Sequence, residues 1–338
     1  MTTSQHEWIG IKETAVFFPE TFETAEVMSK KTGIPTEVII EKFGLYQKYV
    51  SDQSLHASHL AIEAARNLKN VDFKEIDVVI YFGSPHKDYQ VWSIAPKIQH
   101  ELGATKAYAF EMMNVSANFP IALKVAKDML TADYAIRNIL LVGGCKESQI
   151  IDYNNPRSRF MFNFGDGGAA ALVQRGDVKN QILHSHIITD GSFHDDIKMP
   201  AGGSVLPASE LTVRENLHFI DVKDPFDMKE RLDPVSGPNF VNVVKEAVEK
   251  SGFQLKDINL LLPLHTKKSL FRELLAGLGL REDQAIYLDH FGHMSALDPL
   301  VGLHLAKEQS RIKANDLIVT VSAGTGYTWA ATVIQWRE

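Results

Sequence analysis

Residues 102–123 read LGATKAYAFEMMNVSANFPIAL, and the same grammar returns at 278–305 as LGLREDQAIYLDHFGHMSALDPLVGLHL. In each, a helix stops at a glycine suited to a left-handed cap, Gly103 or Gly279. A short apolar strand follows, at 108–113 or 285–288, and then a second helix, at 117–130 or 297–309. Both second helices carry a proline in the first turn, Pro120 or Pro299, where a missing N–H costs nothing. The spacing agrees as well as the order. Gly103 to Ser116 is 13 residues and Gly279 to His293 is 14; Ser116 to Ile139 is 23 and His293 to Leu317 is 24.

Outward from these segments the two halves keep matching. IDVVIYF (76–82) and INLLLPL (258–264) are short apolar runs expected of buried strands. Residues 58–68, 91–102, 240–250 and 270–278 have helical spacing, and 139–142 and 317–321 read as strands. Each half closes on strand, glycine turn, strand: FMFNFGDGGAAALVQ (160–174) and AGTGYTWAATVIQW (323–336). Ahead of the first half stand a strand at 8–18 and a helical stretch at 24–43 broken at Gly33-Ile34-Pro35. The pattern predicts a duplicated α/β architecture: an N-terminal half at 1–174 and a C-terminal half at 236–338. Residues 175–235, with the loop MPAGGSVLP (199–207), are expected to connect them.

Bulk properties narrow the function. The chain has 338 residues, 45% of them hydrophobic and 23% charged, as in ordinary globular proteins. Its net charge of −7 argues against a nucleic-acid partner. No apolar run is long enough to span a bilayer, and no secretory signal is visible at the N-terminus. The single cysteine, Cys145, rules out an internal disulfide or a cysteine-based zinc site, and suits a cytoplasmic location. Cys145 is expected to be a buried structural thiol. His184 and His186 alternate as on one strand face rather than as metal ligands. Gly165 to Ala170 fits GxGxxA but leads into a strand, not a helix, so it does not read as a dinucleotide site. GxSxG, Walker A and HExxH patterns are absent.

In open α/β sheets, reactive groups collect where strands end and helices begin. Duplication thus singles out Ser116 and His293, each between a strand and a helix. Ser116 is open to two readings, a helix cap or a nucleophile beside N–H groups that stabilise an oxyanion. His293 is either a satisfied half-buried histidine or a base. Asp298, five residues on, could orient it.

These segments together resemble the thiolase superfamily, and most closely ketoacyl-ACP synthase III. LGATKAYAFEMMNVSANFPIAL is similar to that family's nucleophile segment, FGDGGAAALV to its FGDGAGA turn, PLHTKK to its Pro-His-Gln segment, and AGTGYTWAA to its glycine-rich terminus. GHMSALD stands where the family has Gly-Asn-Thr-Ser. The resemblance implies a layered αβαβα fold, with two mixed sheets around buried helices, and a homodimer paired through 108–113. It implies coenzyme A or phosphopantetheine thioesters as substrates, no tightly bound cofactor, no metal, and acyl-CoA or an acyl carrier protein as partner. Two departures matter: Ser116 replaces the cysteine nucleophile and His293 the asparagine, while His265 matches the family's histidine. The coenzyme-A-stacking tryptophan is also replaced, with Val38 near its place.

A serine hydroxyl is far less acidic than a thiol and needs an adjacent base to attack a thioester. His293 and Asp298 can supply it, as in the family's Ser/Cys-His-Asp side branch of acyltransferases. The expected catalytic set is Ser116, His293, Asp298 and His265, the last donating a hydrogen bond to a bound carbonyl or helping to activate the acceptor. Backbone N–H groups of Ser116 and Thr325 would form the oxyanion hole. Lys42, Met113, Phe119, Arg157, Lys267 and Lys268 are the expected substrate contacts, with Lys267, Lys268 and Arg272 as a carrier-protein patch. Three activities stay open: acyl transfer through Ser116, condensation with an unusual nucleophile, and a silent subunit paired with an active one.

Overall fold

The computed structural model describes residues 8–176 and 178–337. The first sheet contains β1 (Ile9–Phe17), β2 (Val78–Tyr81), β3 (Tyr108–Glu111), β4 (Asn138–Lys146) and β5 (Asp166–Arg175), in spatial order β1-β5-β4-β2-β3. β2 pairs in parallel with β3 and β4, whereas β5 is antiparallel to both β4 and β1. The second sheet contains β6 (Asn180–Thr189), β7 (Ile258–Pro263), β8 (Leu317–Gly324) and β9 (Thr328–Trp336), ordered β7-β8-β9-β6. Both sheets are mixed. The segment 175–235 contributes β6, which pairs antiparallel with β9.

Five layers follow from where the apolar faces go. Helices α1 (Ala57–Arg66) and α2 (Ile94–Glu101) cover the outer face of the first sheet through Ala61, Ala64, Ile94 and Ile98. Between the sheets lie α3 (Asn118–Ala132) and α6 (Asp298–Glu308). Their Leu123, Ala126, Leu300 and Leu303 join Ile80 and Leu141 of one sheet to Leu262 and Ile318 of the other. Helices α4 (Pro225–Lys250) and α5 (Lys268–Leu278) cover the outer face of the second sheet. Parallel strands buried on both faces need such continuous apolar runs, which is why IDVVIYF and INLLLPL lack alternation.

Three local readings change. Helix α4 begins 15 residues before position 240, because Asp224 caps it by accepting from Phe226 and Asp227 N–H. It runs through Pro234 and Pro238; each proline forfeits a bond, while buried Phe240, Val243, Val244 and Ala247 hold the helix on its sheet. The expected strand at 285–288 is reduced to a single parallel bridge, Leu261 to Ala285. The chain then turns at Gly292, φ 78°. Finally, the duplication holds in a different register. A tight turn at Val115–Ala117 precedes α3, and its counterpart at Ser295–Leu297 precedes α6. Val115 and Ser295 both have positive φ, 46° and 53°. Ser116 is therefore matched by Ala296 and not by His293, which stands three residues earlier in its own repeat.

Candidate active site

Val115 is β-branched and sits in the left-handed region, an uncommon conformation that marks a constrained site. It places Ser116 one residue later, at the threshold of α3. There the Ser116 side chain meets His293 from the other repeat, with Oγ 2.9 Å from Nε2. The opposite ring nitrogen, Nδ1, lies 2.5 Å from Asp298 Oδ2. An ionised carboxylate only accepts, so Nδ1 carries the proton and Nε2 is left bare to receive the serine hydroxyl. Ser116 is 6% exposed, His293 5% and Asp298 0%, which strengthens each polar contact. A Ser–His–Asp relay is thus assembled from residues 177 positions apart.

Asp298 is held from several sides. Its Oδ1 accepts from Met294 N–H at 2.7 Å, and Oδ2 accepts also from the His265 backbone N–H at 2.7 Å. The His293 backbone is fixed in turn, its N–H donating to Asn163 O at 2.9 Å and its carbonyl accepting from Gly165 N–H at 2.9 Å. Phe164 packs edge-on against the imidazole, ring centroids 5.0 Å apart. The second glycine turn lies beside Ser116. Gly324 closes β8, and a Cβ built on it would stand 3.2 Å from Ser116 N and 2.4 Å from Asn114 O. Thr325 follows at once and is half-buried.

His265 departs from its expected part. Its ring is buried, and both nitrogens are engaged elsewhere: Nε2 faces Gly44 O at 3.1 Å and Nδ1 faces the Asn163 amide nitrogen at 2.8 Å. Burial lowers its pKa to about 4, so the ring is uncharged. In this arrangement it has no free donor for a bound carbonyl, and it reaches the relay through its backbone N–H to Asp298 instead.

Two expected substrate contacts are already engaged within the protein. Phe119 is fully buried, packed on Phe82 with centroids 5.3 Å apart, and belongs to the layer between the sheets. Arg157 is committed to Asp221, with Nε 3.1 Å from Oδ1 and a second bond from Nη2 to Oδ2. Met113 is 46% exposed beside Ser116 in sequence, and Lys42 is exposed on the wide turn Ile39–Phe43. Of the proposed patch, Lys267 is exposed, Lys268 lies 5.7 Å from the centre of the Tyr287 ring, and Arg272 pairs with Glu282. Cys145 is fully buried and its thiol pKa is pushed well up by burial, consistent with a structural role. His184 and His186 alternate along β6, His186 facing Lys250. Among the described residues no His/Cys/Asp/Glu group could hold a metal ion, and no helix is long and apolar enough to cross a membrane.

Residues 110–191 match the family model 3-oxoacyl-[acyl-carrier-protein] synthase III, and residues 248–336 match its C-terminal model. The chain is 32% identical to a beta-ketoacyl-[acyl-carrier-protein] synthase III of Caldanaerobacter subterraneus over 333 residues, covering 97% of this chain and 98% of that one. It belongs to the 3-oxoacyl-[acyl-carrier-protein] synthase III family. A synthase III of Syntrophomonas wolfei is 30% identical, with 94% of each chain covered. The crystal structure of the Aquifex aeolicus synthase III superposes with a TM-score of 0.83 at 23% identity, covering 97% of this chain and 100% of that one. The fold is thus that of the thiolase-like ketoacyl synthases, and the family is one of acyltransferase-class enzymes.

Sequence reasoning missed Asn163 and Phe164, which flank His293, and Gly44, whose carbonyl faces the His265 ring. Phe164 and Gly165 sit in the quoted FGDGG turn, but nothing in their spacing indicates that this turn packs on His293. Gly44 gave no signal at all, because its carbonyl is what matters and every residue has one.

Proposed function

We propose that this synthase III family member transfers an acyl group from a coenzyme A or carrier-protein thioester, through an acyl-Ser116 ester, to an oxygen, nitrogen or sulfur acceptor. The observation that carries the reading is the hydrogen-bonded chain from Ser116 Oγ through His293 to Asp298. His293 Nε2 takes the serine proton as Oγ bonds to the thioester carbonyl carbon. The Asp298 carboxylate stabilises the imidazolium formed, and backbone N–H groups at Ser116 and Thr325 receive the oxyanion. The carbon–sulfur bond then breaks, and the departing thiol takes its proton from His293. In the second half the acceptor loses its proton to His293 and bonds to the acyl carbon. Ser116 leaves and recovers a proton. A positioned base of this kind contributes about a hundred- to ten-thousand-fold in rate. The open edge of β3 supports a homodimer paired through that strand.

Condensation is the second reading, favoured by the names of the relatives. It needs a donor to hold an enolate oxygen, and the engagement of both His265 nitrogens speaks against it. A silent subunit would have no reason to keep the relay assembled. The test is intact-mass measurement after exposure to a panel of acyl-CoA thioesters. An adduct that maps to Ser116 and vanishes in Ser116→Ala is expected. An adduct at another residue, or carbon dioxide released from a malonyl carrier-protein thioester, would overturn the proposal.

A further inference from the structure

The His265 ring poses a question the relay does not answer: what fixes a buried histidine beside the catalytic carboxylate yet keeps it out of the reaction. Gly44 O can only accept, so the nitrogen facing it, Nε2, must carry hydrogen. An uncharged ring then offers a bare Nδ1, which only a donor can satisfy. The Asn163 Nδ2 group, 2.8 Å away, is that donor. Asn163 is 6% exposed, and its own Oδ1 is buried with no hydrogen-bond partner. A buried amide left half-satisfied is costly, so its orientation toward His265 is imposed by the surroundings.

The imposing group is Lys48. Its ammonium is fully buried and donates to the carbonyls of Phe162 and Phe164, at 2.8 and 2.7 Å, one on each side of Asn163. A third bond runs to the Tyr153 hydroxyl at 2.6 Å. With its neighbours clamped, Asn163 faces both histidines at once: its carbonyl accepts from His293 N–H, and its side chain donates to His265.

We propose that Asn163 is a positioning residue that locks His265 in its uncharged Nε2–H form against Gly44, leaving His293 as the only imidazole able to move a proton at Ser116. Its bearing on catalysis rests on the acyl-Ser116 reading. The lock matters because the two histidines share Asp298. A charged His265 would compete for that carboxylate's field and disfavour the imidazolium that His293 must become. The ionisable groups acting on the His265 ring are Asp298, His293 and Asp289, and Tyr287 lies against its face at 5.1 Å. None of them donates to Nδ1, which leaves Asn163 to set the form.

The experiment is a long-range proton–nitrogen correlation spectrum of the full-length protein labelled with nitrogen-15 in histidine, His265 being assigned from its loss in His265→Gln. The expected wild-type result is a neutral Nε2–H ring at pH 7, with its Nδ1 resonance shifted by a hydrogen bond. In Asn163→Leu that resonance should move to the position of a free ring nitrogen. In Asn163→Asp the facing carboxylate should draw a proton onto Nδ1, giving a charged ring at pH 7. The rate of Ser116 acylation should then fall at least tenfold with KM for the thioester unchanged. A wild-type ring protonated on Nδ1, or an unmoved Nδ1 resonance in Asn163→Leu, overturns the lock. An unchanged rate in an Asn163→Asp protein whose His265 is charged overturns the link to catalysis. Since the spectrum is recorded without thioester, it decides the lock whether or not Ser116 is ever acylated.

Discussion

Gly324 stands against Ser116 so closely that a Cβ on it would lie 3.2 Å from the serine nitrogen and 2.4 Å from Asn114 O. The turn that follows β8 is thus pressed against the Ser116 segment, with no room for a side chain. Gly324→Ala must push the two segments apart and, on the proposed mechanism, spoil the oxyanion site. A loss of at least tenfold in acyl transfer is expected, with about 1–3 kcal/mol lost in urea unfolding. Full activity in that variant would place the oxyanion site elsewhere.

The two relay partners of Ser116 should separate in their effects. His293→Ala removes the proposed base and should slow Ser116 acylation by about a hundred- to ten-thousand-fold while leaving the fold intact. Asp298→Ala should slow it too, but should also cost about 2–4 kcal/mol, because it strips acceptors from the Met294 and His265 N–H groups and the His293 ring. Rapid-quench acylation paired with thermal unfolding distinguishes these outcomes. A stable fold in Asp298→Ala would contradict the assigned bonds.

Acid should weaken the protein through His265. Its pKa is about 4 in the folded state against an ordinary 6.5, so between these values the unfolded chain binds more protons. Stability therefore rises with pH across this window and is lost as pH falls from 6.5 toward 4. The contribution is at most about 3 kcal/mol. Urea titrations at pH 7 and pH 4.5 should show the drop, and His265→Gln should flatten it. An equal drop in the variant would assign the effect to other groups.

Thiol chemistry should be silent. Cys145 is fully buried with its pKa raised, so iodoacetamide is expected to leave the native protein unlabelled and active. Labelling should appear only on unfolding. Rapid inactivation by the reagent would return the nucleophile to a cysteine.

A carrier-protein donor should be felt at Lys267, the exposed basic residue ahead of α5. Lys267→Glu is expected to raise KM for an acyl carrier-protein thioester several-fold and leave KM for the matching coenzyme A thioester unchanged. Equal effects on both donors would remove the docking role.

The layers were legible from the chain because burial writes itself into composition. Apolar runs at 76–82 and 258–264, helix stops at Gly103 and Gly279, and the two glycine turns each report local physics, and local physics is what a sequence records. Ser116, His293 and Asp298 were legible for the same reason, as residues at strand-to-helix junctions. Their meeting was expected only from the family resemblance, not from spacing, and the repeat register that aligns Ser116 with His293 along the chain is three residues off. Ser116 and His293 touch because two helices buried between the sheets bring their amino ends together, a relation set by packing across the whole core. The role of His265 was decided entirely in three dimensions. Its neighbours, the Gly44 carbonyl and the Asn163 amide, come from segments 221 and 102 residues away. A ring's charge and tautomer depend on which donors and acceptors surround it, and no spacing along the chain encodes that.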